Sequence, residues 1–440
     1  MTCIHPFLAS FVGQAPSLRR PLRPPCGAAL LASLALALSP AAPAKDSCTE
    51  CHANMEGTLK TPVTDYPNDI HARQGFSCAD CHGGDRNADD PEAAMSRAKG
   101  FKGHISRTAV PALCAHCHSD AALMHRFKPQ QRVDQLELYQ TSVHGKRLAK
   151  GDTAVANCVD CHSVHNIREV RDPQSPVHPL KLPETCARCH ANAAHMAPYK
   201  IATNQFAEYR TSVHWEALSK RGDISAPNCA SCHGNHGAAP PQVASVAEVC
   251  GTCHVLFEEM YNKSPHQPVF ASMGGCTVCH GNHGIQPPTI KMLAGAGSLC
   301  TPCHDSASAG GEAAVEMGRL LLRLDIALNQ SDAVLNRAHD SGMEVSEPIL
   351  RQMEGREALV KALVALHAFQ VAAVAKPVQE GLAVAAETRR AGEKALQDRD
   401  ARRVGLALSL ITIVITMAGL WMAIRSLESK PAAEPKPAGR

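Results

Sequence analysis

Hydrophobic residues are concentrated in three parts of this 440-residue chain, and the first lies near the N-terminus. An apolar run from Gly27 to Leu38 follows three arginines between positions 19 and 23. It is followed by a small-residue segment whose Ala-x-Ala pattern ends at Ala44. This order is typical of an export signal, and the run is too short to span a bilayer. We therefore predict a cleaved signal peptide over residues 1–44.

The second apolar run, Val404 to Ile424, has 21 residues and no charge. At about 1.5 Å per helical residue it would span roughly 30 Å, the thickness of a bilayer core. Trp421 stands where an interfacial aromatic residue is expected. We predict one transmembrane helix over 404–424. Because the signal exports the body of the protein, residues 425–440 would form a cytoplasmic tail.

The third pattern is an amphipathic seam in the segment between the cysteine-rich region and the apolar run. Met317, Leu321, Leu324 and Leu328 recur at steps of four, three and four residues, which is helical spacing. We expect the helix to break near 340–343, a second helix to follow, and Pro377 to kink or restart a third. Residues 307–403 are thus predicted to form a helical hairpin or stalk.

Residues 45–306 contain nine C-x-x-C-H motifs, numbered 1 to 9 here in chain order. Their 18 cysteines are all the cysteines after the signal peptide, since the other two, Cys3 and Cys26, lie within it. The cysteine pairs are Cys48 and Cys51, Cys78 and Cys81, Cys114 and Cys117, Cys158 and Cys161, Cys186 and Cys189, Cys229 and Cys232, Cys250 and Cys253, Cys276 and Cys279, and Cys300 and Cys303. The adjoining histidines are His52, His82, His118, His162, His190, His233, His254, His280 and His304.

C-x-x-C-H is the attachment site of c-type haem: the two thiols form thioethers and the histidine binds the iron. Zinc sites and disulfide frameworks do not require a histidine directly after the second cysteine. We therefore predict nine covalently attached haem c groups. Aromatic residues make up only 4% of the chain, so stacked porphyrins would supply much of the apolar mass of the interior. The formal charge of +3 gives no support for nucleic-acid binding.

Candidate second axial ligands come from an internal repeat. Residues 114–167 can be aligned with 186–238, and partial copies flank both. Six histidines recur at matched positions, and two more fit the degenerate first copy, which gives eight candidates for nine irons. They are His144, His165, His214, His236, His266 and His283, followed by His71 and His104. For the ninth iron the sequence leaves His125, His178, His195, Met124, Met196 or no protein ligand open. His339 and His367 lie beyond the last motif and are not counted among the candidates.

The predicted fold class is mostly α with extensive loops. A nonahaem cytochrome c domain (45–306) would wrap around stacked haems and precede the hairpin and the single transmembrane helix.

Five segments carry a resemblance to a known family: Gly100–Gly103, Tyr139–Gly145, Gly151–Thr153, Ser212–Lys220 and Cys232–Gly237. They resemble bacterial multihaem cytochromes with a C-terminal membrane anchor, commonly grouped with class III cytochromes c. This resemblance implies respiratory electron transfer, including anaerobic respiration, at the cytoplasmic membrane. It does not imply a particular substrate.

The favoured function is electron transfer by a single-pass protein of the inner membrane whose haem domain lies in the periplasm. The expected partners are a quinol-oxidising donor and a periplasmic or outer-membrane cytochrome acceptor, and a homodimer remains open. The alternative is an oxidoreductase that acts on a small nitrogen or sulfur compound at one open haem. No catalytic residue is predicted, and an electron carrier is favoured over a catalyst.

Overall fold

The computed structural model describes residues 46–237, 246–295 and 297–428. The predicted signal peptide and most of the predicted cytoplasmic tail lie outside these residues. Within them the chain forms helices and turns and contains no β-strand, which confirms the predicted mostly-α fold class.

The described residues form twenty-one α-helices in succession, and most of those in residues 47–304, the motif region, are short. They are α1 Ser47–His52, α2 Thr61–Asp65, α3 Ile70–Arg73, α4 Cys78–His82, α5 Pro91–Ala94, α6 Val110–His118, α7 Ala121–Phe127, α8 Gln135–Thr141, α9 Val143–Ala149, α10 Cys158–His162, α11 Leu182–His190, α12 Ala193–Met196, α13 Gln205–Tyr209, α14 Val213–Trp215, α15 Cys229–His233, α16 Val255–Asn262, α17 Gln267–Phe270, α18 Thr277–His280, α19 Ala309–Asp340, α20 Ser346–Ala365 and α21 Val371–Glu428. The 3-10 helices are Gly57–Leu59, Tyr66–Asn68, Arg97–Lys99, Ala197–Tyr199, Val246–Thr252, Ala271–Met273, Ile290–Met292 and Leu366–Ala368, and Glu216–Lys220 is a π-helix.

The helices α19, α20 and α21 form the C-terminal helical unit, which has a conventional apolar core. Leu321, Leu324 and Leu328 of α19 are almost completely buried, and they pack with Val374 and Val378 of α21. The helical spacing of the seam therefore places one apolar face of α19 against its neighbours.

A buried polar cluster also connects these three helices. The hydroxyls of Ser331 and Thr388 are 2.7 Å apart, and the Thr388 hydroxyl donates to Gln352 Oε1 at 2.6 Å. The Gln352 amide in turn donates to the Leu328 carbonyl oxygen at 2.9 Å. Each of these buried polar groups thus has a partner, as buried polar groups require.

The third helix of the unit begins earlier than expected. Pro377 neither ends nor restarts it, because α21 is continuous from Val371 to Glu428. A proline inside a helix removes one backbone hydrogen bond. Pro377 is buried, and Val378 beside it belongs to the apolar core of the unit.

The distal part of α21 is the one candidate membrane span among the residues described. Its apolar window has a mean hydropathy of 2.2 and none of it is buried inside the protein. Trp421 is exposed, and the Arg425 guanidinium lies 4.8 Å from its ring centroid. These features fit the segment predicted at 404–424.

The motif region contrasts with this unit because it buries few large apolar side chains. Leu148, Met196 and Leu218 are buried there, and the cluster around Leu218 is small, formed with Ala217 and Ala226. Side-chain packing alone therefore does not account for its fold.

Candidate haem-binding sites

Motifs 2, 4 and 6 begin helices, and the residue before the first cysteine caps them. Ser77, Asn157 and Asn228 occupy this position before motifs 2, 4 and 6, and each forms a capping box with the third helical residue. In motif 4, for example, Asp160 accepts the Asn157 backbone N–H at 2.7 Å. Such caps satisfy amides that have no partner within the helix, so a five-residue motif can be helical.

The residue after the motif histidine turns the chain away from these short helices. It has a positive φ in motifs 2, 4, 6 and 8: Gly83 (71°), Ser163 (70°), Gly234 (76°) and Gly281 (70°). Three of the four are glycine, the residue for which this region carries no steric penalty.

Motifs 3 and 5 instead end longer helices. They occupy the last turns of α6 and α11, nine residues each, and these helices carry Pro111 and Pro183 in their first turns. Proline is favoured in the first turn because its missing N–H would have no helical partner there. In motifs 3 and 5 the helix therefore begins before the motif and ends with it. In the even motifs the helix begins at the first or second residue of the motif.

Eight of the nine motif histidines face a second histidine ring from a distant part of the chain. The ring centroids are 5.9–6.4 Å apart in every case. The pairs are His82–His165, His118–His71, His162–His236, His190–His144, His233–His283, His254–His214, His280–His367 and His304–His266.

This separation fits two imidazoles bound to one metal. With metal–nitrogen bonds of about 2 Å, and each centroid roughly 1 Å behind its nitrogen, the centroids should stand roughly 6 Å apart. Direct ring stacking would bring them closer, and unrelated surface histidines would show no common spacing.

The pairs follow a regular order along the chain. The histidine upstream of an even motif faces the next motif, so those before motifs 2, 4, 6 and 8 face motifs 3, 5, 7 and 9. The histidine three residues after motifs 4, 6 and 8 faces the preceding even motif. The histidines that face the motifs of one repeat therefore come from the repeats before and after it. In residues 114–167, for example, His118 faces His71 and His162 faces His236.

A tyrosine five residues before each upstream histidine helps to place it. Tyr66, Tyr139 and Tyr209 donate their hydroxyls to the backbone carbonyl two residues before the next even motif, at 2.7–2.9 Å. Tyr261 has the same spacing from His266. These bonds fix the upstream segment against the motif that follows it.

Asp69 holds His71 in a defined orientation. Its carboxylate accepts the His71 ring Nδ1–H at 2.9 Å, the His71 backbone N–H at 2.8 Å and the Ile167 backbone N–H at 2.6 Å. Burial raises the pKa of Asp69, but these hydrogen bonds outweigh burial and keep the pKa below its ordinary value. Because Nδ1 carries the proton, Nε2 of His71 is left with its lone pair.

Burial also keeps most of the paired histidines neutral. It lowers the pKa of His118, His144, His236 and His280 below the ordinary value, and that of His162 to about 4. A neutral imidazole has a lone pair available for a metal. His266 Nδ1, moreover, is buried and has no hydrogen-bond partner.

One continuous cavity of about 4680 Å³ connects all nine motifs. Its walls are mainly apolar, and every motif cysteine and histidine reaches it. The volume per motif, one ninth of the total, lies within the range of roughly 300–1,000 Å³ that is typical of one small-molecule or cofactor site. Thiols, paired imidazoles and an apolar cavity together fit covalently bound haem.

Comparison with known families agrees with this geometry. Residues 70–191, which contain motifs 2 to 5, match the family model for cytochrome c3. Residues 266–309, with motifs 8 and 9, match the model for a doubled CXXCH motif. The chain is a multihaem cytochrome c. No solved structure matches it.

Neighbouring motifs of the cytochrome are also neighbours in space. The first cysteines of motifs 3 and 4, Cys114 and Cys158, lie beside each other, as do those of motifs 5 and 6 and of motifs 7 and 8. The second cysteines of motifs 2, 4, 6 and 8 each lie near a cysteine of the next motif: Cys81 near Cys117, Cys161 near Cys186, Cys232 near Cys253 and Cys279 near Cys300. Helices α1 and α4, which carry motifs 1 and 2, are in contact.

Seven of the eight histidines predicted from the repeat are brought opposite a motif histidine, and His104 is not. His104 is exposed on the cavity rim beside Gly103, whose carbonyl oxygen accepts the His82 Nδ1–H at 3.1 Å. Correspondingly, His52 of motif 1 faces no second histidine ring among the residues described. Its Nδ1 donates to the Leu59 carbonyl oxygen at 3.2 Å. Ligation by His104 stays a prediction.

The other candidates for the ninth ligand have different surroundings. His195 packs against Tyr199 with centroids 6.2 Å apart, and His178 Nδ1 accepts the Leu180 backbone N–H at 3.3 Å. Met196 is buried, Met124 is half-buried and His125 is exposed. None of these three histidines faces a motif histidine among the described residues.

Sequence reasoning missed His367, which faces His280 of motif 8. It lies in the turn between α20 and α21, outside the motif region, and no repeat covers it. The repeat itself could have indicated that such a histidine is needed. Motifs 2, 4 and 6 are each faced by a histidine that follows the next even motif, and no even motif follows motif 8.

Proposed function

We propose that this cytochrome is a nonahaem electron-transfer protein, anchored in the inner membrane by α21 with its motif region in the periplasm. The single observation that carries the proposal is the set of eight histidine pairs at one common spacing. In this proposal the motif cysteines hold the haems, the motif histidines are the first axial ligands, and their facing histidines are the second.

Haem c supplies one-electron chemistry when bound. Two histidines on one iron leave no position for a substrate, so these sites favour electron exchange over catalysis. Bis-histidine ligation also favours lower potentials than histidine–methionine ligation.

The order of the motifs supports a path that follows the sequence from motif 1 to motif 9. Consecutive motifs are adjacent at each step, so bound cofactors would be near neighbours along the whole region. The last motifs adjoin the C-terminal helical unit, since Phe257, just after motif 7, contacts His367.

The length of α21 indicates which kind of electron donor could reach motifs 8 and 9. His367 lies just before Val371, and the apolar segment begins at Val404, which is roughly 50 Å further along a helix with a rise of about 1.5 Å per residue. We propose that motifs 8 and 9 stand above the membrane surface at the far end of this stalk. A quinol-oxidising protein, rather than a quinol dissolved in the bilayer, would then deliver electrons to them, and periplasmic or outer-membrane cytochromes would receive them.

The test uses the full-length protein in liposomes. After chemical reduction, we expect it to discharge rapidly to a soluble monohaem cytochrome c, followed by haem absorbance. Decylubiquinol in the bilayer should not reduce it at a comparable rate. Failure to reduce cytochrome c, together with rapid discharge by nitrite or hydroxylamine, would contradict the carrier proposal; rapid reduction by decylubiquinol alone would contradict the proposed protein donor.

A second function is favoured by one specific observation: among the described residues, no second histidine ring faces His52. An iron at motif 1 with a free axial position would bind a small nitrogen or sulfur compound, and the electron path would serve that site. The pairing order of the other motifs assigns no histidine to motif 1, because the upstream histidines described here face motifs 3, 5, 7 and 9.

Cyanide binding to the oxidised protein separates the two functions. If motif 1 is open, cyanide should change the spectrum of one haem per chain, and His104→Ala should leave this change intact. If His104 is the ligand, the wild type should not respond, and His104→Ala should create a cyanide-sensitive haem. The latter result would remove the basis of the second function.

A further inference from the structure

We propose that His367 is the second axial ligand of the haem at motif 8, so that the C-terminal helical unit completes a haem site. The inference rests on the proposed function, in which haems occupy the motifs. It assigns a metal-ligating role to a residue of the unit that connects the cytochrome to its membrane segment.

The geometry of this pair matches the other even motifs. The rings of His280 and His367 have centroids 6.1 Å apart and planes 19° apart. In motifs 2, 4 and 6 the centroids are 5.9–6.1 Å apart and the planes 8–23° apart. A histidine placed by chance against the motif would not reproduce both values.

The His367 ring is also held in the form that a ligand needs. Its Nδ1 donates to the Leu363 carbonyl oxygen at 3.0 Å, so Nε2 keeps its lone pair. Phe257 packs its ring at right angles to the imidazole, with centroids 5.0 Å apart. The hydrogen bond and the aromatic contact together restrict rotation of the side chain.

The turn that carries His367 is itself fixed against the motif region. Phe369 follows it with φ of 53°, a region that a bulky residue rarely adopts. Its ring packs on His266, the residue facing motif 9, with centroids 4.2 Å apart. A strained residue persists where the surrounding structure over-determines it, and such residues cluster at functional sites.

The repeat supplies an independent argument. Motifs 2, 4 and 6 receive their second histidine from the next even motif, but motif 8 is the last even motif in the chain. Motif 1, at the other end of the region, also receives no histidine from the repeat, and no second histidine ring faces it among the described residues. His367 therefore fills, from a different element, the place that the missing repeat would have filled.

The test substitutes His367 with glycine in the full-length protein, with His339→Gly as the matched control. His339 lies in the same helical unit and outside all motifs, and it is exposed. Intact mass first establishes that each variant carries as many covalent haems as the wild type. Electron paramagnetic resonance of the oxidised protein should then show one additional high-spin haem per chain in His367→Gly and none in His339→Gly.

Added imidazole should return this haem to the low-spin state, because it can enter the space left by the side chain. His367→Met offers a second test if the glycine variant matures poorly: we expect a low-spin haem with a raised potential. An unchanged spectrum and unchanged potentials, or a high-spin signal that imidazole does not remove, would overturn the assignment. Failure of the proposed function would look different, since the wild type itself would then lack covalent haem or fail to reduce cytochrome c.

Discussion

The motif region and the C-terminal helical unit are stabilised in different ways. In the unit, leucine and valine side chains of α19 and α21 form a buried core, and a hydrogen-bonded polar cluster connects all three helices. The motif region has short capped helices, few buried apolar side chains and a large cavity that connects its nine motifs. The difference indicates that covalent cofactors replace the side-chain core in the first part of the chain and are not needed for the core of the second.

The largest expected effect comes from preventing haem attachment. In cells that lack the c-type haem attachment machinery, we expect the motif region to remain unfolded, because binding free energy there is folding free energy. The C-terminal helical unit should still form, since its core contains no motif residue. Limited proteolysis followed by mass spectrometry would measure this: residues 309–400 should be protected and residues 47–304 degraded. Protection of both regions would contradict the conclusion that the motif region, unlike the helical unit, depends on covalent haem to fold.

The second-largest effect should be the loss of stability when a buried leucine is replaced by alanine, and it should differ between the two regions. Leu324→Ala in α19 should lower the free energy of unfolding of the helical unit by about 2–5 kcal/mol, because it opens a cavity in a packed interior. Leu218→Ala in the motif region should have a smaller effect, since its cluster contains only Ala217, Ala226 and the partly buried Tyr209. Denaturant unfolding followed by circular dichroism and by haem absorbance would separate the two regions. Equal losses for the two variants would show that the motif region depends on side-chain packing as much as the unit does.

The smallest effect should come from a residue that only orients a ligand. Asp69→Asn keeps the size of the side chain but removes the charge that polarises His71. We expect the potential of one haem, at motif 3, to rise while the number of covalent haems stays the same, because a less basic imidazole stabilises the oxidised iron less. Spectroelectrochemical titration would measure the shift. Asp85→Asn is the control, since Asp85 pairs with Lys99 on the surface and touches no paired histidine; an equal shift in both variants would contradict the positioning role of Asp69.

Much of this arrangement can be read from the sequence, because covalent haem attachment has a strict local signature. The nine motifs, the helical seam through Leu324 and the apolar segment after Val404 all follow from spacing and composition. Seven of the second histidines follow from the repeat. Which motif each of them faces does not, because the partner lies in a neighbouring repeat and the connection depends on tertiary structure.

His367 and His52 mark the limit of prediction from the repeat. A repeat identifies residues by their equivalents, and the two ends of a repeat array have none on one side. At the C-terminal end another element supplies a histidine, and at the N-terminal end the described residues provide no facing ring. The Tyr-x-x-x-x-His spacing, present at Tyr66 and His71, would have shown that the first copy is less degenerate than its cysteine spacing suggests.

The most direct test of the central claim is low-temperature electron paramagnetic resonance of the oxidised full-length protein. The planes of the paired rings differ by 8–23° in the even motifs and by 36–86° in motifs 3, 5, 7 and 9. Near-parallel and near-perpendicular axial imidazoles give different low-spin signals, so we predict one class from the four even motifs and a distinct class from motifs 3 and 9, whose planes are 86° apart. More than one high-spin haem per chain would contradict the claim that histidine pairs complete these sites.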